Sequence, residues 1–223
     1  IAFQLVTDRF HFLILGAVVG RISAQFNAQS KVIVIRATNA AVGTDFLSTL
    51  KRTAIMAWLW CRPWINAYGD LIQGVAYRSA SWGNPLHDLH AWLKAKQLWK
   101  QMQDPGQEVS VCIGSMEITD LIIDSYLRFK PAPSFNVQDP FVRVLIWRAL
   151  RDMHRANVYF EQTQPSLYLT SYSTYVEHGI PVRMALKHQV PVWSFGNIMR
   201  LGKQLTNEDS YHTQNFTAYR SEF

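Results

Sequence analysis

A chain of 223 residues, 48% hydrophobic and 17% charged, has the balance of a folded protein with a sizeable core, either one large domain or two small ones, and excludes a disordered or low-complexity chain. A formal charge of +6 and a pI near 9.4 point to an anionic partner: phosphate groups, acidic sugars, a membrane surface or nucleic acid. The longest apolar runs, Phe10 to Gly20 and Ala54 to Cys61, stop short of the roughly 20 residues that span a bilayer, and Cys61 and Cys112 form neither a close pair nor a metal-ligand spacing.

Ile1 to Val6 reads as a first strand, Phe10 to Phe26 as a helix and Lys31 to Arg36 as a second strand, a β-α-β opening without the G-x-G-x-x-G dinucleotide fingerprint. Gly16 and Gly20 suit close packing of that helix on a sheet. Asp8, Arg9 and His11 stand at the strand-to-helix turn, where free N–H groups and the helix dipole favour an anion; the plainer reading makes Asp8 a cap and His11 a surface residue. Thr44 to Trp60 predicts another helix, stopped by Arg62-Pro63. There Lys51, Arg52 and Arg62 flank Trp58, Trp60 and Trp64, a mix that suits either a peripheral membrane face or a buried helix end with a basic rim.

Leu71 to Arg78 predicts a strand, and Asn84-Pro85 starts a helix to about Met102 with Leu86, Leu89, Leu93 and Trp99 as its core stripe. His87 and His90 lie three apart on it, with no third metal ligand at a recognisable spacing. Glu108 to Ile113 is the next expected strand, and Gly114-Ser115 leads into a helix from Met116 to Phe129. Glu117, Asp120 and Asp124 share one face of that helix. They either complement its dipole or offer a general base for an acceptor hydroxyl, while Arg128 suits a phosphate or carboxylate. Asp139-Pro140 caps a long helix through Phe160, with Phe141, Val144, Leu145, Leu150 and Met153 inward and Arg143, Arg148, Arg151 and Arg155 on a solvated basic face.

Ser166 to Gly196 then forms a complete strand, turn, helix, strand unit. Leu167 to Tyr172 is a strand, Gly179 and Pro181 open a helix carrying Val182, Ala185 and Leu186, and Val190 to Phe195 resumes a strand. In parallel sheets ligands sit outside the carboxyl ends of the strands, which is where the turn Ser171 to His178 would lie. Its candidates for substrate contact are Tyr172, Thr174, Tyr175 and Glu177, and His178 is placed to polarise a hydroxyl. Asn197 to Thr206 predicts a last strand or hairpin. The order implies an α/β fold, a Rossmann-like doubly wound and mostly parallel sheet of about six strands with helices on both faces, spanning residues 1–206; residues 207–223 would begin a linker. The start at Ile1, without a basic leader or a cleavage site, is read as a fragment with no signal peptide.

Two motifs add a resemblance. Ile118-Thr119-Asp120-Leu121-Ile122-Ile123-Asp124-Ser125-Tyr126-Leu127-Arg128 resembles the G-D-L-I-Y-D-x-Y-L-R segment of bacterial surface-polysaccharide glycosyltransferases of GT-B type, the capsule and O-antigen group that includes Kdo-transferase-like enzymes. Ser171 to Leu186 resembles their S-H-x-x-Y-x-x-x-G-I-x-x-R-x-A-L segment, matching at Tyr175, Gly179, Ile180, Arg183, Ala185 and Leu186. Thr119, Ile123 and Tyr172 depart from it, standing where the pattern has Gly, Tyr and His. The resemblance implies an amino-terminal, acceptor-side domain whose second Rossmann-like domain binds a nucleotide sugar such as CMP-Kdo, with a glycan or lipid-linked glycan acceptor, peripheral membrane contact and a cytoplasmic location at the inner face of the membrane. It holds no metal or cofactor of its own, and alone it would be inactive. Its site would comprise Glu117, Asp120 and His178 for catalysis, and Asp8, Arg9, His11, Arg128, Tyr172, Thr174, Tyr175, Glu177 and Arg183 for substrate. The alternative is a non-catalytic module for a nucleotide or phosphorylated ligand; nucleic acid ranks third, since the arginines are spread along a helix and no binding motif is present.

Overall fold

The computed structural model describes residues 2–5, 21–22, 24–25, 33–36, 85–104, 106, 110–130, 132–195 and 202–212. The expected helices at Phe10 to Phe26 and Thr44 to Trp60, the strand at Leu71 to Arg78, and Asp8, Arg9 and His11 lie wholly or largely outside these residues.

The protein is α/β. Strands β1 (Ala2–Leu5), β2 (Ile33–Arg36), β5 (Tyr168–Thr170), β6 (Val192–Ser194) and β7 (Lys203–Leu205) form one sheet in the order β2-β1-β5-β6-β7. The pairs β1–β2, β1–β5 and β5–β6 are parallel, and β7 closes the edge antiparallel to β6. Chain order steps from β1 to β2 on one side of the sheet and from β5 to β6 on the other.

Residues 21–22 and 24–25 are helical, and four helices are described from end to end: α1 (Pro85–Met102), α2 (Thr119–Phe129), α3 (Pro140–Thr163) and α4 (Val176–Lys187). Helix α4 lies against β5 and β6, α3 packs on α4 and α1, and α2 contacts both α3 and α4. The cap expected for α3 is present: Asp139 Oδ1 accepts from the Phe141 N–H at 2.8 Å with Pro140 at the first helical position. The core between these elements is built on Leu121, Ile122, Leu145, Ile146, Phe160 and Ile180, all essentially inaccessible.

Four expectations are corrected. Cys112–Ile113 (β3) pairs antiparallel with Met116–Glu117 (β4) in a hairpin separate from the main sheet, so Glu117 is on a strand and α2 begins only at Thr119. Gly114 makes that possible: its φ of +63° turns the chain where a helix entry was expected. Thr119 then anchors the hairpin, its Oγ1 accepting from the Val111 N–H at 2.7 Å. On α1 the residues facing inward are Ala91, Ala95 and Met102, with Trp99 half-buried, whereas Leu86, Leu89 and Leu93 are exposed. The arginines of α3 are not a solvated face either. Arg148 is buried, Arg143 lies 3.8 Å over the Trp92 ring, Arg151 lies 4.8 Å over Trp147, and Arg155 pairs with Asp88 at 3.6 Å. Finally, α4 starts at Val176, which puts Pro181 inside the helix and not at its opening.

A groove along the seam between α2 and α4

The two motif segments, 118–128 and 171–186, meet along one seam. At its tightest point Gly179 of α4 faces Leu121 of α2: a Cβ at Gly179 would overlap Leu121 Cδ2 and stand 2.7 Å from the Ser173 carbonyl oxygen. Only glycine lets the two helices approach this far. One turn earlier, Ser125 Oγ accepts from the Val176 N–H at 2.8 Å, supplying from α2 the cap that α4 lacks in its own sequence. Tyr175, the residue before that turn, is held at a φ of +65°, with the Arg128 guanidinium 5.9 Å from its ring centre.

At the other end of the seam Arg183 grips Asp120 with both terminal nitrogens, Nη1 to Oδ1 at 2.9 Å and Nη2 to Oδ2, and Nη1 also donates to the Glu117 carbonyl. The Tyr211 hydroxyl donates to the same Asp120 carboxylate. Burial pushes the Asp120 carboxyl up, but the bonds from Arg183 and Tyr211 outweigh it, and the group stays below the ordinary carboxylate range. Burial and the Asp120 charge push its neighbour Asp124 upward and raise the Tyr211 phenol.

Beside this pair an open groove of about 670 Å³ runs between the β3–β4 hairpin, the last turn of α4 and the segment after β7. Ser115, Glu117, Asp120, Arg183, Lys187 and Ser210 are among its polar lining residues. The volume falls in the range of about 300–1,000 Å³ typical of small-molecule sites. Its mix of carboxylate, cation and hydroxyl suits a polyhydroxylated or acidic ligand.

A second group of predicted residues gathers at the carboxyl end of β5. The Tyr172 ring packs against two imidazoles, with centroids 5.6 Å from His178 and 5.2 Å from His212. Ser173 meets His212 at three points: its Oγ accepts from the His212 N–H at 2.6 Å and lies 3.3 Å from Nδ1, and its own N–H donates to Nδ1 at 3.3 Å. An Nδ1 that accepts is unprotonated, so this His212 is neutral, in keeping with burial and the Lys203 charge, which lower its pKa. His178 is buried, Tyr172 and Thr174 are half-buried, and Glu177 is half-buried with its carboxyl pushed up to about 7, chiefly by burial.

The predicted residues therefore divide. Glu117, Asp120 and Arg183 share the groove, whereas Tyr172, Thr174, Tyr175, Glu177, His178 and Arg128 belong to the β5 edge and the first turn of α4. Adjacent residues Tyr211 and His212 tie the two groups together, one bonded to Asp120 and the other to Ser173. Sequence reasoning missed both, along with Lys187 and Ser210, because they fall at a helix end and in a polar stretch with no periodic pattern.

Among the described residues no group of three His, Cys, Asp or Glu side chains is arranged to hold a metal ion, and no helix is long and apolar enough to cross a membrane. Comparison with family models, curated proteins and solved structures returns no match.

Proposed function

We propose that this chain is the acceptor-side domain of a GT-B glycosyltransferase of bacterial surface-polysaccharide synthesis, capsule or lipopolysaccharide O-antigen, working in the cytoplasm at the inner face of the membrane. In this reading the sheet is one Rossmann-like, doubly wound array, and a second such domain supplies the nucleotide-sugar donor, CMP-Kdo being one candidate. The observation that carries the reading is the seam. The two segments that resemble the family's motifs are distant in sequence, yet they pack on each other through Gly179, Ser125 and the Asp120–Arg183 pair and frame a sugar-sized groove.

Within that reading Glu117, exposed on the groove rim, takes the proton of the acceptor hydroxyl as its oxygen attacks the anomeric carbon of the donor. The bond from that carbon to the nucleotide phosphate breaks, and the nucleotide leaves with the electron pair. Asp120 is already committed to Arg183 and Tyr211, so it fixes the groove wall and is not the base. Lys187 offers a cation to an acidic sugar or a pyrophosphate link.

The test is a titration of the 223-residue chain with glycan acceptors and, separately, with nucleotide sugars. Acceptor binding is expected, weakened about tenfold by Lys187→Ala, the equivalent of about 1.4 kcal/mol for one lost charge-assisted contact. Saturable nucleotide binding with no response to any glycan would reject the acceptor role. It would favour the second reading, a non-catalytic module for a nucleotide or phosphorylated ligand, which the commitment of Asp120 to internal partners also supports.

A further inference from the structure

Five large apolar side chains are exposed among the described residues, and three of them stand on α1: Leu86 at 74%, Leu89 at 57% and Leu93 at 59%. Their spacing places them in one row on the outer face of the helix. The inner face is already occupied, since Ala91, Ala95 and Met102 are buried and α1 packs on α3. At about 100° per residue, Lys96 falls on one flank of the leucine row and His90 and Lys94 on the other, while Lys100 continues the line of the row about two turns beyond Leu93; all four are exposed. Asp88, the acid of α1, is on the inner side, paired with Arg155.

On the His90 and Lys94 flank a pocket of about 150 Å³ opens between α1 and α3. Its wall carries His87, Lys94, Arg151, His154 and Arg155 against the single carboxylate of Asp88. This is well below the roughly 300 Å³ at which small-molecule sites begin, so it suits one ionic group such as a phosphate. The His87 and His154 rings stack 3.7 Å apart and within 16° of parallel, so their nitrogens do not converge on a common metal position.

We propose that the outer face of α1 docks the protein on an anionic phospholipid bilayer, the leucine row entering the acyl boundary and the adjoining cationic pocket receiving a headgroup phosphate. A bilayer is the occupant that meets both features at once: apolar side chains on an in-plane helix find the acyl layer while flanking lysines find anionic headgroups. Free phosphate would leave the leucines exposed. A second copy of the chain docking through the same face would gather two sets of Lys94, Lys96 and Lys100 at one interface with no acid of α1 free to offset them, since Asp88 is paired with Arg155. The inference does not rest on the sugar-transfer reading, because lipid binding is measured with no glycan or nucleotide present.

The experiment is co-sedimentation of the full 223-residue chain with phosphatidylcholine vesicles, with and without phosphatidylglycerol. Binding is expected only to vesicles containing phosphatidylglycerol and is expected to fall with added salt. Replacing Lys94, Lys96 and Lys100 singly by Gln should weaken it by about fivefold each. Leu89→Ser/Leu93→Ser should abolish sedimentation while Leu127→Ser, an exposed leucine on α2, leaves it unchanged. Because these leucines are exposed, circular dichroism of the variants should match the parent. Equal binding to neutral vesicles, undiminished binding of the double leucine variant, binding of inorganic phosphate without any vesicle binding, or a vesicle-free dimer lost in the leucine variant would each overturn the proposal.

Discussion

Glu177 stands in the first turn of α4, where an acid ordinarily gains from the helix dipole. Burial reverses that advantage: it lifts the carboxyl to about 7, the Asp152 charge adds to the rise, and the residue's own N–H together with the Arg148 and Arg128 charges opposes it. An unfolded glutamate titrates near 4.3, so between roughly pH 4.5 and 7 the folded chain holds a proton that the unfolded chain has released. Stability contributed by this group is therefore full below that window and is lost as pH rises through it. Glu177→Gln is expected to be more stable than the parent by about 1–3 kcal/mol at pH 8 and to lose that advantage near pH 4, read from urea unfolding at both pH values. An advantage that did not change with pH would show that the gain has another origin. The turn after β5 marked Glu177 as a candidate, but its shifted proton affinity could not be read locally, because Asp152 and Arg148 come from α3.

Between elements, the contact of α2 with α4 depends on one missing side chain. In Gly179→Ala the Leu121 tip can rotate away, but the Ser173 carbonyl is backbone and cannot, so the helices must part slightly. Overpacking of this kind costs about 1–3 kcal/mol. Adding Leu121→Ala should recover part of it, giving a non-additive double-mutant cycle in chemical denaturation; strict additivity would mean that the two residues do not share the space. Elements with local signals were legible in the sequence. Asp139-Pro140 starts α3 as expected because a cap and a first-turn proline act within two residues. Helix α1 was found but turned the wrong way round. Its sequence carries two stripes, one of leucines and one of alanines and tryptophans, and periodicity alone does not say which one α3 will cover. The Glu117 segment was misassigned because Gly114 accommodates a hairpin turn as readily as a helix entry.

For the molecule as a whole, the sheet order was beyond local reading. The parallel pairing of β1 with β5 joins residues more than 160 positions apart, and no pattern in either strand names its neighbour. The segment 202–212 divides: β7 lies within the strand or hairpin expected over Asn197 to Thr206, whereas the polar stretch from Asn207 was read as the start of a linker, and its Tyr211 and His212 instead tie the groove to the β5 edge. The proline inside α4 bears on the order in which these parts come together. Pro181 offers no N–H to the Glu177 carbonyl one turn earlier, so the opening turn of α4 cannot be stabilised by helix propagation alone. It is completed from outside, by the Ser125 hydroxyl on α2. The turn that carries Tyr175, Glu177 and His178 is thus expected to close late, after the folding barrier. Ser125→Ala, at a cost of about 1–3 kcal/mol for a buried N–H left without its acceptor, should appear in a chevron plot as faster unfolding with an unchanged refolding limb; slower refolding would place the turn in the nucleus instead. A segment that locks last is also the first to open, so the candidate residues at the β5 edge ride on the most readily released turn of α4, while Asp120 and Arg183 remain clasped at its far end.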